Sequence, residues 1–308
     1  MWLLALLPMA LLPIGMGALL GAQTAINAKL RGLVGSPYLA SAISFTIGTA
    51  ALAIVAFSQG ALVGFHWTGP WWLWLGGLFG TIGLTMNILL FPKLGSVQTA
   101  VLPIFGQIVA SALIDQLGAF FAPVRSLTLV KGGGLVLVVV GVLTTVMGPT
   151  NLTRTPVPHR LWWQLGGIGA GMLMASQIAI NGHLGTVQHS ALAAATYSFA
   201  SGAALLWLLC LGKRVPLTAI KAATQQGPRA WWIWLGGLFG AVYVFGSAWL
   251  VTLLGTGQIV VLVLFGQLTT SAVIEHFGFL GSIKAPVARQ KVLGLIIMFI
   301  GVVLTKLA

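Results

Sequence analysis

The chain carries two acidic side chains in 308 residues, Asp115 and Glu275, and both lie inside long apolar runs. A carboxylate at membrane depth costs a few kcal/mol or more, so it is read first as a functional group. The two are 160 positions apart, and the sequence repeats around them at that offset: FGQIVASALIDQLG over 105–118 returns as FGQLTTSAVIEHFG over 265–278. In each copy a glutamine, Gln107 or Gln267, stands eight residues before the carboxylate and a serine, Ser111 or Ser271, stands four before it. That spacing puts three polar groups near one helical face. Such a face can do two things. It can carry a proton or cation across a membrane, or its carboxylate can pair with a basic residue at the start of the next helix, Asp115 with Lys131 and Glu275 with Lys291. The two roles are not exclusive.

A second polar set sits earlier in each copy. GAQTAINAKL over 21–30 aligns with MASQIAINGHL over 174–184 at an offset of 154, matching Gln23 with Gln177 and Asn27 with Asn181. Residues four apart share a helical face. An amide inside a bilayer needs a partner, either a neighbouring helix or a polar solute. The candidate substrate-binding residues are therefore Gln23, Asn27, Gln107, Gln177, Asn181 and Gln267, with Asp115 and Glu275 as candidate coupling or gate carboxylates. The copies also differ: Asn87 faces Ser247 in the alignment, Gly83 faces Tyr243, and Pro103, which can kink a helix, faces Val263.

The composition dictates the elements that hold these groups. With 58% hydrophobic and 6% charged residues and a mean hydropathy of +1.03, the chain must use lipid as solvent. The net charge of +13 would suggest nucleic acid in a soluble domain, but here the Lys and Arg sit between apolar runs, where they orient helices. No nucleic-acid partner is expected. The single cysteine, Cys210, allows no intrachain disulfide and reads as core. There is no phosphate-binding GxxxxGK[ST], no HExxH and no cysteine pair, and the histidines at 66, 159, 183, 189 and 276 are scattered, His183 and His189 reading as solvated. No catalytic residue, metal or cofactor is expected, and the chain is not read as an enzyme.

Apolar runs of spanning length fall at about 3–28, 38–57, 71–92, 96–119 and 129–148, and again at 161–183, 190–211, 231–253, 257–280 and 290–307. The expectation is an all-α integral membrane protein of ten transmembrane helices, built as two five-helix repeats, 1–148 and 161–308, joined by a linker at 149–160. The near-identity of WWLWLGGLFG (71–80) and WWIWLGGLFG (231–240) extends the repeat through the third helix. An odd number of spans per unit makes the second copy enter the membrane in the opposite direction. Charge counting agrees: twelve Lys and Arg fall on one side and three on the other, and three of the four matched loops reverse their bias between copies. Both termini are then expected outside the cytoplasm. The N-terminal apolar run has no preceding Lys or Arg and continues into the repeat, so cleavage as a signal peptide is not expected. Tryptophans at helix starts, such as Trp67, Trp71, Trp162 and Trp231, read as an interfacial belt, and the pairs Gly17/Gly21, Gly76/Gly80, Gly167/Gly171 and Gly236/Gly240 as close helix contacts.

The polar segment GAQTAINAKL/ASQIAINGHL, the doubled FGQ-x7-[DE]-x2-G segment and the five-plus-five pattern together resemble the YdcZ family of the drug/metabolite transporter (DMT) superfamily, over nearly all 308 residues. The resemblance implies a bacterial inner-membrane, multi-pass secondary transporter, an exporter of small metabolites or drugs working by alternating access at the repeat interface. Small multidrug-resistance relatives in that superfamily carry a glutamate on their first helix for proton coupling. Here Gln23 and Gln177 stand there, which speaks against proton-coupled export of cationic drugs. A passive channel of the same antiparallel design and a non-transporting assembly subunit are the other readings. The expected partners are the lipid bilayer and an unidentified small solute, with assembly into a homo-oligomer open.

Overall fold

The computed structural model describes all residues except 1, 64, 65, 67, 147–158, 283, 285, 286 and 308, so the expected linker lies almost wholly outside the described residues. The described residues form helices and no strands. In chain order the α-helices are α1 (Trp2–Val34), α2 (Pro37–Ser58), α3 (Gly76–Leu117), α4 (Leu129–Val146), α5 (Arg160–Val187), α6 (Ala191–Gly212), the short α7 (Ile220–Thr224), α8 (Leu235–Leu254), α9 (Thr256–Phe277) and α10 (Arg289–Leu307). Among the described residues six segments are both long and apolar enough to cross a membrane: Leu11–Val34, Pro37–Ser58, Ala100–Leu117, Ala191–Gly212, Pro228–Leu254 and Thr256–Phe277.

Local sequence sets the helix ends, and it does so twice. Ser36 caps α2 by accepting the Leu39 N–H, and its repeat mate Ser190 caps α6 by accepting the Ala193 N–H. Gly118 and Gly278, both in the left-handed region (φ 62° and 72°), end α3 and α9 where a side chain would be strained.

The sequence expects two spans along the longest helix, α3, and helical residues extend from Gly76 to Leu117 across both of them. Packing nevertheless folds it back. Gly76, Gly80 and Gly83 lie against Asn181, Gln177 and Met174, descending α5, whereas Gly106, Ala110 and Ile114 lie with Ile168, Ala175 and Ala179, ascending it. A straight helix of that length would reach about 63 Å. Instead the Trp72 and Phe120 rings at its two ends are 5.4 Å apart. The chain therefore reverses between Leu90 and Leu102, giving a first and a second limb.

Several helix contacts of one sequence copy recur in the other. Gly17 and Gly21 of α1 pack on Val263 and Gln267 of α9, and Gly167 and Gly171 of α5 pack on Leu102 and Pro103 of the second α3 limb. With no hydrophobic drive between helices in lipid, such glycine contacts supply close backbone packing. α2 packs on α6, with Leu39 beside Leu206 and Leu52 beside Leu192, hence antiparallel. α4 packs on α10 in the same sense, Gly134 on Gly301 and Gly141 on Gly294.

Candidate functional site

The helices enclose a cavity of about 470 Å³ lined from both copies by α1, α2, both limbs of α3, α5, α6, α8 and α9. Five of the six expected amide residues line it: Gln23, Asn27, Gln107, Gln177 and Gln267. Gln23, Gln177 and Gln267 hydrogen-bond to no other described residue, so their amides are available to whatever enters, while the Gln107 amide rests on Met174 Sδ at 3.9 Å. Phe45 and Phe199, repeat mates, stack at 4.7 Å between ring centroids and form an apolar wall. Among the described lining residues none is a carboxylate, lysine or arginine.

The sixth residue lies elsewhere. Asn181 is buried outside the cavity and donates from Nδ2 to Ser198 Oγ at 3.1 Å. Its mate Asn27 and the mate of Ser198, Ser44, both line the cavity, and Ser44 Oγ lacks a partner. The same pair of side chains is thus joined in one copy and parted, along the cavity wall, in the other.

Asp115 makes no direct ion pair with Lys131, whose charge acts on it only from a distance. Its carboxylate is fully buried and accepts two backbone N–H groups of the other copy, Thr256 at 2.7 Å and Gly257 at 2.8 Å, which are the first turn of α9. A helix start offers unpaired N–H groups and positive potential, so it holds a carboxylate more closely than a lysine at the end of a flexible stem. Arg125 completes the joint: its backbone N–H donates to the Asp115 carbonyl at 2.7 Å and its guanidinium to the Leu253 carbonyl at the end of α8. Asp115 and Arg125 thus clamp both sides of the turn at Gly255 (φ 82°) between α8 and α9. Glu275 does form the expected ion pair with Lys291, with its side chain 46% exposed. Exposed pairs contribute little, so Glu275→Gln should lower stability by less than about 1 kcal/mol in denaturant titrations.

The sequence missed the hydroxyls of Thr24, Ser41 and Ser44, the Tyr243 ring and the role of Arg125, whereas Ser271 lines the cavity on the face the spacing marked. Only Tyr243 carried a signal, as a large polar ring where the other copy has Gly83. His183, read as solvated, instead stacks on Phe121 at 4.6 Å because α5 runs on through it to Val187.

A family model described as "Putative inner membrane exporter, YdcZ" matches the chain twice, over residues 8–144 and 162–304. No curated protein matches it. A solved structure described only as "Crystal structure of protein" is similar at 15% identity and a TM-score of 0.67, covering 97% of this chain and 95% of that one, which shows a shared fold.

Proposed function

The chain belongs to the YdcZ family of inner-membrane exporters, and from that premise we propose that it is a secondary transporter exporting a small uncharged solute by alternating access. The double family match and the antiparallel packing of α2 on α6 and α4 on α10 support two inverted five-helix repeats, residues 1–148 and 161–308, ten spans in all. Inverted repeats suit alternating access, because exchanging the conformations of the two units moves the opening from one face to the other.

The observation that carries this reading is the unequal state of matched residues. Ser111 and Asp115 are fully buried at one end of the cavity, while Ser271 lines it and Glu275 is half exposed at the other. The sealed end is closed by Ile108, Ile178, Leu250, Val251, Leu254 and Ile259. The open end lies on the side of Lys29, Arg31, Lys284 and Lys291, the side the charge bias assigns to the cytoplasm.

The lining names the solute's chemistry. An ion taken out of water without a counter-charge costs several kcal/mol, and the described lining offers none. Carboxamides, hydroxyls and a stacked aromatic pair instead fit an uncharged hydrogen-bonding solute with an apolar face, held by Gln23, Asn27, Gln107, Gln177 and Gln267, in a volume usual for small-molecule sites. Proteoliposomes loaded with a mixture of neutral and charged metabolites, followed by mass spectrometry, test this. A neutral member should move against its gradient and stop with an uncoupler. Loss of ions only would overturn the solute class, and gradient-following leakage would favour a channel.

Orientation has its own check. Cysteine labels at Gln225 and after Ala308 should react with impermeant reagent from opposite sides of the membrane, Gln225 from the cytoplasm. Reaction of both from one side would overturn the assignment.

A further inference from the structure

We propose that Asp115 is a positioning residue for transport: a latch that closes the end of the cavity opposite the opening by capping α9 from the other copy, with Glu275 as its counterpart in the opposite state. The proposal rests on the alternating-access reading above.

The latch is built from contacts that cross the repeat boundary. Asp115 ends the second limb of α3, which flanks the cavity through Pro103, Ile104 and Gln107, and its two carboxylate oxygens take the Thr256 and Gly257 N–H groups one each. α9 lines the cavity from Val263 to Ser271, so holding its first turn fixes one wall. Arg125 holds the last turn of α8, which lines the same cavity through Gly240, Tyr243 and Val244. Helix ends joined in this way cannot part without exposing two N–H groups and a buried carboxylate together, each of which then needs water. Opening this end therefore requires water to enter the joint, which is what an open gate admits.

The repeat supplies the partner state. Thr256 and Gly257 correspond at the 160 offset to Ser96 and Val97, and Asp115 to Glu275. In the present state Glu275 is half exposed on Lys291 and so is free of any buried cap, at the end where the cavity is open. Exchange of the two conformations releases Asp115 and, once α3 parts before Ser96 as the chain parts at Gly255 in the present state, places Glu275 on the backbone N–H groups of Ser96 and Val97. Lys291 is an exposed alternative partner that holds Glu275 while its latch is undone.

Single cysteines at Ser111 and Ser271, one at each end, report the exchange in nanodisc-embedded full-length protein through impermeant maleimide labelling, since the native Cys210 is buried. The unmodified sequence should label at Ser271→Cys and be protected at Ser111→Cys. Adding Asp115→Asn, which replaces a two-oxygen acceptor with a one-oxygen acceptor, should raise labelling at position 111 by roughly tenfold or more, the scale of one charge-assisted hydrogen bond, and lower it at 271. Adding Glu275→Gln instead should leave 111 protected and 271 at least as reactive. If Asp115→Asn does not fold, Arg125→Gln serves in its place with the same expected reciprocal change. A rise at both positions together, or no change at either, overturns the latch. If both positions already label fully in the unmodified sequence, the alternating-access reading itself fails.

Discussion

Gly171→Leu is expected to abolish folded protein, while Gly169→Leu, two residues away on the same helix, leaves it intact. A Cβ at Gly171 would collide with the Pro103 carbonyl, and backbone cannot swing aside as a flexible side chain can; a Cβ at Gly169 meets nothing within 4 Å. Overpacking against side chains already costs 1–3 kcal/mol, so forcing a leucine against backbone should cost about 3 kcal/mol or more. At Gly169 the better helix propensity of leucine should instead contribute about 0.5–1 kcal/mol. Folded yield and thermal midpoint in nanodiscs measure both. Equal behaviour of the two variants would mean that α5 does not approach α3 at Gly171. The mate of Gly171, Gly17, packs on the Val263 carbonyl and should respond like it.

The amides should separate just as sharply. Gln177→Leu is expected to lower export at least about tenfold with stability changed by less than about 1 kcal/mol, because its amide supports no described protein group. Asn181→Leu should behave the other way, lowering stability by about 1–3 kcal/mol, because it leaves Ser198 Oγ buried without its donor. Denaturation of the purified variants gives the stability arm, and efflux of the solute identified from the loaded proteoliposomes gives the transport arm. A Gln177→Leu protein that exports normally would remove the amides from the solute site.

The unequal halves also have a local cause in the sequence. Ile178, buried beside Ile259 at the closed end, has Thr24, a cavity-lining residue, as its mate. An isoleucine at such a joint gains apolar burial that a threonine does not. The state with its opening toward Thr24 is therefore favoured by composition alone, and Asp115 adds the polar part of the same preference.

The sequence by itself determined the membrane class, the duplication and the glycine contacts. Each of these follows from composition or from spacing along one helix, which needs no knowledge of neighbours. It also located all five amides that line the cavity, among the six it singled out, because an amide in an apolar run has few other places to go. Tertiary structure alone decided the rest. Asn27 and Asn181 are the same residue in the same motif, yet one faces the cavity and the other bonds Ser198, since the two copies occupy different conformations. Asp115 was expected on Lys131, sixteen residues along, and is held instead by N–H groups of Thr256 and Gly257, 141 and 142 residues away. No local pattern marks a backbone donor, since every residue but proline has one; only the fold decides which helix start arrives beside a buried carboxylate.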